Sequence, residues 1–337
     1  MGGVRSCVAA CSQAFGLFAL MAFSGPDMPA SNSATGESDR LVLLGTAGGP
    51  RLRSDRSQPA NLLVVEGKPY LVDCGEGCVT QLRKAGFEPG DVEQLFLTHM
   101  HLDHSAGVGP LAAFRWTGSV TSQLTVFGPP GTSKFVDAAM RYLSVPGSVH
   151  SREVPNMGSM DMLVHGEDIK HGGPEAFELF SDEKIRVRAV ENSHFDHLSG
   201  VDIGFGALRS YSYRFDSADR SIVFTGDTGP SQSLQRMASG ADILVAEIMD
   251  VDGVMSAFRQ RTDIPAAQFP VIEAQMRAKH LTARDVGELA QASGVKTVIL
   301  THFASAGAGT EDVERFLREV SEVFDGKVVA GKDLQIF

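Results

Sequence analysis

The chain has 337 residues, 43% of them hydrophobic and 21% charged, which excludes both a disordered chain and a polytopic membrane protein. Thirty Lys and Arg against 41 Asp and Glu leave a net charge of −11, which argues against a broad phosphate-binding surface. Four cysteines are too few for a disulfide scaffold, and Cys74 and Cys78 alone are weak grounds for either a disulfide or a metal site.

At the N-terminus Arg5 precedes an apolar stretch from Val8 to Phe23, and Ala22-Phe23-Ser24 offers a small-x-small cleavage site. Residues 1–38 therefore read as a signal peptide and leader, with export to the periplasm or the cell exterior. The run is short and interrupted by Ser12 and Gln13, so no stable membrane span is expected after processing. From 39 to 337 no linker or low-complexity block divides the chain, and one domain is expected. Strands are predicted over 41–46, 61–65 and 69–74, a helix over 79–85 and a strand over 95–98. A strand over 124–127 and a helix over 134–143 follow. Residues 146–173, with Pro, Gly, Met and little periodicity, read as a long loop or an inserted hairpin. Strands return over 185–190, 210–215, 221–225 and 243–247. Two amphipathic helices, 282–292 and 310–324, flank a strand over 295–300, each with Thr in the capping position and an acid in the first turn. Strands and helices alternate, but the opening is mostly hairpins, so neither a dinucleotide-binding sheet nor an α/β barrel fits.

One internal echo stands out. Leu95-Phe96-Leu97-Thr98-His99 and Val298-Ile299-Leu300-Thr301-His302 are each an apolar strand ending in Thr-His. This suggests two related halves facing a shared site. The chemistry is concentrated in His99-Met100-His101-Leu102-Asp103-His104, with four metal-ligand types in six residues. His99 and His101 are two apart and share a side of an extended chain, so they can bite one metal. Asp103 and His104, where the chain turns, can reach a second. Imidazole and carboxylate without thiolate favour zinc or a similar divalent ion with open positions for water. Two metals need further ligands, and His194, Asp227 and His302 stand at similar strand ends; Asp227, entering a Gly turn, could bridge. His150, His165, His171 and His197 are left as ordinary histidines, His197 being the rival to His194.

These motifs resemble the metallo-β-lactamase superfamily, in particular its ribonuclease Z-like branch. The resemblance rests on the run at 99–104, the Thr-Gly-Asp-Thr turn at 225–228 and the Leu-Thr-His end at 300–302. It is supported by the opening Leu-Gly-Thr-Ala-Gly-Gly-Pro turn at 44–50, the Asp-Cys-Gly-Glu end at 73–76, Ser-Tyr-Ser-Tyr-Arg at 210–214 and Ala-Lys-His-Leu-Thr at 278–282. It implies an α/β fold, a four-layer αββα sandwich with the site at one edge between the sheets. It implies two Zn2+ (or other divalent ions), one on His99, His101 and His194, the other on Asp103, His104 and His302. Asp227 and a water or hydroxide would bridge them. Asp103 would also orient or deprotonate the nucleophile, His280 would protonate the leaving group, and Glu247 would orient His280.

Ribonuclease Z enzymes commonly carry a tRNA-gripping arm between the isolated histidine and the bridging aspartate, and no basic arm is visible between His194 and Asp227. With the acidic charge and the export signal, this makes nucleic acid a poor fit as partner. The expected function is a secreted dinuclear zinc hydrolase of small anionic esters, of phosphodiesterase or arylsulfatase type. Arg51, Arg53 and Arg56 would serve as anion clamps if their loop faces the metals. The alternatives are a lactonase or thioesterase of the same fold, a ribonuclease Z-type tRNA 3′-processing endonuclease, and a non-catalytic metal-binding protein. By the resemblance a homodimer is also expected.

Overall fold

The computed structural model describes residues 39–337 except 119, 155–158, 199, 308, 310 and 311, so the expected signal peptide and leader lie outside the described residues. The first sheet runs in sequence order: β1 (Arg40–Gly45), β2 (Ala60–Val65), β3 (Lys68–Val72), β4 (Gln94–Phe96), β5 (Leu124–Gly128) and β6 (Val164–Asp168). β1, β2 and β3 pair antiparallel, whereas β3 to β6 are parallel. The second sheet holds β7 (Phe177–Ser181), β8 (Arg186–Glu191), β9 (Tyr211–Asp216), β10 (Ser221–Phe224), β11 (Ile243–Met249), β12 (Thr297–Ala304) and β13 (Lys327–Ala330), again in sequence order. It too begins antiparallel, from β7 to β10, and turns parallel from β10 to β13. The helices are α1 (Cys78–Lys84), α2 (Leu102–Ser105), α3 (Val108–Thr117), α4 (Thr132–Glu153), α5 (Gln232–Ala238), α6 (Val251–Arg259), α7 (Phe269–Lys279), α8 (Ala283–Ser293) and α9 (Val313–Ser321).

Side-chain alternation along the strands decides the layers. In β1, Leu41 and Leu43 join the core between the sheets, while Val42 and Leu44 face the helical layer behind the first sheet. Leu244 and Ala246 of β11 face the helices behind the second sheet, where α5, α8 and α9 contribute Leu234, Val286 and Phe316; Val245 points inward. The result is the αββα sandwich. Its inner layer is aromatic around fully buried Phe96, whose ring stacks on Phe127 at 5.1 Å and meets Phe215 edge-on at 5.2 Å.

Two expectations need correction. The segment 146–173 is not a loop or hairpin: α4 continues through Pro146 to Glu153, and β6 then adds a parallel edge strand beside β5. Pro146 removes one helical N–H, and beyond Leu143 the helix buries no described residue, so no apolar period marks its second half. The second C-terminal helix is capped by Asp312, whose carboxylate accepts the Arg315 N–H at 2.9 Å; Thr310, the expected cap, lies outside the described residues. Thr282 does cap α8, in a reciprocal box with Asp285. Cys74 and Cys78 are buried free thiols. No helix among the described residues is long and apolar enough to cross a membrane.

Candidate metal centre

The parallel strands end at one edge of the sandwich, where β4, β10, β11 and β12, joined by the end of antiparallel β8, deliver polar side chains. His99 follows β4, with His101 as the N-cap of α2 and Asp103 and His104 inside it. His194 follows β8 and Asp227 follows β10, while Glu247 lies on β11 and His302 on β12. His280 is the C-cap of α7. Two backbone features aim these groups. His302 has φ +48 at a register shift between β11 and β12, which turns it out of the strand path. Gly226 has φ +58, and a Cβ there would lie 2.8 Å from Thr98 Cβ, so only glycine lets Asp227 enter.

The ligand-type atoms of His99, His101, His194 and Asp227 all lie within 4.8 Å of one another, and those of Asp103, His104 and His302 form a second such group. Asp227 stands between the groups. Its Oδ2 is 3.8 Å from His99 Nε2, and its Oδ1 is 3.3 Å from His104 Nε2 and 3.1 Å from His302 Nε2. Asp103 Oδ2 lies 3.6 Å from the Nε2 atoms of both His104 and His302. Three of the outer ring nitrogens are held elsewhere: His194 Nδ1–H donates to the Lys279 carbonyl at 2.8 Å, and His104 Nδ1 faces Asp73 Oδ2 at 2.8 Å. His99 Nδ1 faces the Thr98 hydroxyl at 3.1 Å, and that hydroxyl donates to Asp73. Such partners fix which nitrogen of each ring faces the cluster.

Charge follows the same division. Burial drives His99 well below its ordinary value and His194 down to about 3, so both are neutral, ligand-ready rings. Burial also opposes charge on His302, but the Asp227 and Asp103 carboxylates beside it outweigh it and lift the ring to about 9. His104 is raised too, since Asp227, Asp73 and Asp103 together overcome its burial. Asp227 is held well below the carboxylate range because His302 and His104 overcome burial. The carboxylates thus demand positive charge. His104 Nε2 and Asp227 Oδ1 are nevertheless buried without a hydrogen bond, aimed at each other. A divalent cation fits this set: it would satisfy the orphaned atoms and replace the protons on His104 and His302.

A third group adjoins these. His280 Nδ1 lies 2.8 Å from Glu247 Oε2 and 4.0 Å from Asp227 Oδ2. Burial raises the Glu247 carboxyl, and Glu247 in turn overcomes the burial of His280 and raises that ring. The site opens to solvent at His101, which is exposed, and at His280, which is partly so.

Residues 69–303 match the family described as the beta-lactamase superfamily domain. The chain belongs to the metallo-β-lactamase superfamily. Curated relatives include ribonuclease Z from Mycobacterium bovis, 28% identical with 87% of this chain and 96% of the relative covered, and ribonuclease Z from Brevibacillus brevis, 29% identical with 86% and 94% covered. Among solved structures, the metallo-β-lactamase fold protein YhfI from Bacillus subtilis aligns with TM-score 0.61 at 18% identity, covering 89% of this chain and 98% of that one. The short form of human tRNase Z aligns with TM-score 0.59 at 19% identity, covering 88% and 98%. These likenesses carry the fold; the superfamily is one of metal-dependent hydrolases, and the two His/Asp groups sit where the strands of that fold end.

The structure brings every expected ligand, together with His280 and Glu247, to this one edge of the metallo-β-lactamase fold. His197 is exposed on the turn after His194 and stands apart from the groups. The arginines differ from expectation. Their loop does border the site, since the Gly49 N–H lies 3.4 Å from His302 Nε2. Arg53, however, pairs with Asp55 and donates to the Phe303 carbonyl, and Arg56 donates to Thr46 Oγ1 and the Gly331 carbonyl while covering the Phe303 ring. Both hold the loop in place, and only Arg51 is exposed among the three. Asp73 was missed as a site residue. Its signal is an aspartate directly after an apolar strand and two residues before a glycine, and it adopts φ +59, which Asp tolerates better than most.

Proposed function

We propose that the chain hydrolyses phosphodiesters, with His99, His101 and His194 holding one zinc, Asp103, His104 and His302 a second, and Asp227 shared between them. Two divalent ions supply Lewis acidity and lower the pKa of bound water. Asp103 orients the nucleophile and takes its proton. Glu247 holds His280 Nδ1, which leaves Nε2 to protonate the departing alkoxide. The observation that carries this reading is the Glu247–His280 pair beside both ligand groups: metal storage needs no proton donor, and this one is fixed by a buried carboxylate.

Relatives named ribonuclease Z favour a tRNA 3′-processing endonuclease over the secreted sulfatase or small-ester phosphodiesterase expected from the sequence alone. One feature supports the small-ester reading as a second possibility. Among described residues, the interval from His194 to Asp227 holds a short 3-10 turn, a loop, β9 and β10, and its exposed loop is apolar instead of basic.

The test offers zinc-loaded protein a precursor tRNA with a 3′ trailer and, separately, bis(p-nitrophenyl) phosphate, with Asp227→Ala as blank. Endonucleolytic cleavage at the trailer supports the first reading, and turnover of the small diester alone supports the second. Inertness towards both, with two zinc ions bound, sinks the phosphodiesterase reading.

A further inference from the structure

Seven residues after His194 the chain makes a loop whose large apolar side chains face water. Val201 is 44% exposed, Ile203 44% and Phe205 53%, with Leu198 exposed on the turn just before. The three alternate with Asp202, Gly204 and Gly206. Asp202 accepts the N–H groups of Gly204, at 2.7 Å, and Gly206, at 3.3 Å, and pairs in a bridge with Ala207. The loop is therefore held by its own carboxylate clamp, and its apolar tips are displayed by that conformation. Leaving three such side chains in water forgoes burial that each would otherwise gain.

The loop stands at the mouth of the metal centre. A Cβ on Gly131 would lie 3.1 Å from Phe205 Cβ, and one on Gly206 2.8 Å from Pro130 Cβ, so the loop packs on the turn before α4. From that turn Thr132 Oγ1 reaches Met100 Sδ at 3.8 Å, between His99 and His101. On the other side, Leu198 donates its N–H to the carbonyl of Phe195, whose ring is 5.3 Å from His101 and 4.6 Å from His194. His101 is the exposed ligand, so the loop borders the side where substrate enters. Lys134 Nζ lies over the Phe205 ring, 5.2 Å from its centroid, so the cation covers one face and a stacking partner has the opposite one.

We infer that Val201, Ile203 and Phe205 form a subsite for a planar ring carried by the ester substrate, with Phe205 as the stacking surface. The inference rests on the phosphodiesterase reading and deepens it, because it names the group next to the scissile phosphate: a ring, either a nucleobase or a simple aryl group. A bare alkyl ester would reach the metals but leave the loop unused.

The experiment compares p-nitrophenyl phosphodiesters with one leaving group and three second substituents: methyl, phenyl and thymidine-5′. Zinc-loaded wild type should favour a ring-bearing ester over the methyl ester by about tenfold in kcat/KM, mostly through KM. Phe205→Ala should erase that preference and leave the methyl ester unchanged; Phe205→Trp should keep it. Thymidine ahead of phenyl identifies a nucleobase, and phenyl equal or ahead identifies an aryl group. Calorimetric binding of phenyl phosphate against methyl phosphate gives a second readout independent of turnover. A binding preference without turnover of any ester would overturn the activity and leave the subsite standing. Because every ester shares the p-nitrophenyl ring, the binding arm decides: equal binding of the two phosphates, or no loss on any of the three esters in Phe205→Ala, would overturn the subsite.

Discussion

At the scale of single residues, the ligands were readable because each is a histidine or aspartate at the end of an apolar run, where a buried strand delivers it to an edge. Asp73 shows what such reading misses. It accepts the Thr98 N–H at 2.8 Å and meets His104 Nδ1 at the same distance. Its Asp-Cys-Gly-Glu strand end supports the resemblance, but a residue that works through another shows no role in that pattern. The physical role is still definite. Asp73 fixes His104 with Nε2 turned to Asp227, and through the Thr98 hydroxyl it also steadies His99. Asp73→Asn keeps the shape but removes the charge, so zinc affinity should fall by about 10–100-fold while the fold persists. Competition with a chromophoric chelator measures it. An unchanged affinity at both metal equivalents would show that His104 is oriented by packing alone.

At the scale of elements, what was legible follows burial. β1 to β5, α8 and β12 bury apolar residues at strand or helix spacing, and their positions could be read. The second half of α4 buries nothing, and α7 has no buried residue along its whole length. These helices lack the apolar stripe on which sequence reading depends, although α7 delivers His280 to the site. The ends of the hairpins hold a different kind of contact. Asp182, in the turn between β7 and β8, meets Lys68 Nζ at 2.9 Å and the Tyr70 hydroxyl at 2.7 Å, tying the second sheet to β3 of the first. Burial works against its charge, but Lys68, the Lys184 N–H, Tyr70 and the Ile185 N–H outweigh it and lower its pKa. A carboxyl lowered in the fold stabilises above its unfolded value and loses that contribution as pH falls through the folded value. Asp182→Asn should therefore cost about 1 kcal/mol at pH 7 by urea unfolding. The gap between variant and wild type should close as the pH drops below the ordinary carboxylate value of 3.8. A gap that stays constant down to about pH 2.5 would mean that the lost contact is steric and not ionic.

At the scale of the whole molecule, the echo between residues 95–99 and 298–302 becomes a statement about architecture. Each sheet opens antiparallel, turns parallel and sends a Thr-His strand end to the same edge. His99, His101, Asp103 and His104 come from the first sheet, and His194, Asp227 and His302 from the second, so each ligand group draws on both halves. Ions held there would clamp the sandwich across its open edge, while the aromatic layer around Phe96 joins the sheets independently. Metal removal should consequently loosen the molecule without unfolding it, unlike a small zinc module whose fold is its metal site. Zinc at 100 times its dissociation constant adds about 2.7 kcal/mol by mass action, which for a domain of this size is on the order of 4 °C in Tm. Chelated protein should keep its far-ultraviolet circular dichroism at 25 °C, melt earlier by that amount, and recover when zinc returns. Asp227→Ala, which removes the one side chain shared by both groups, should show little of the zinc-dependent rise. A chelated protein already unfolded at 25 °C would show that the aromatic layer cannot hold the sheets together. A Tm indifferent to zinc would show that the ligands of the two halves do not close on a common ion.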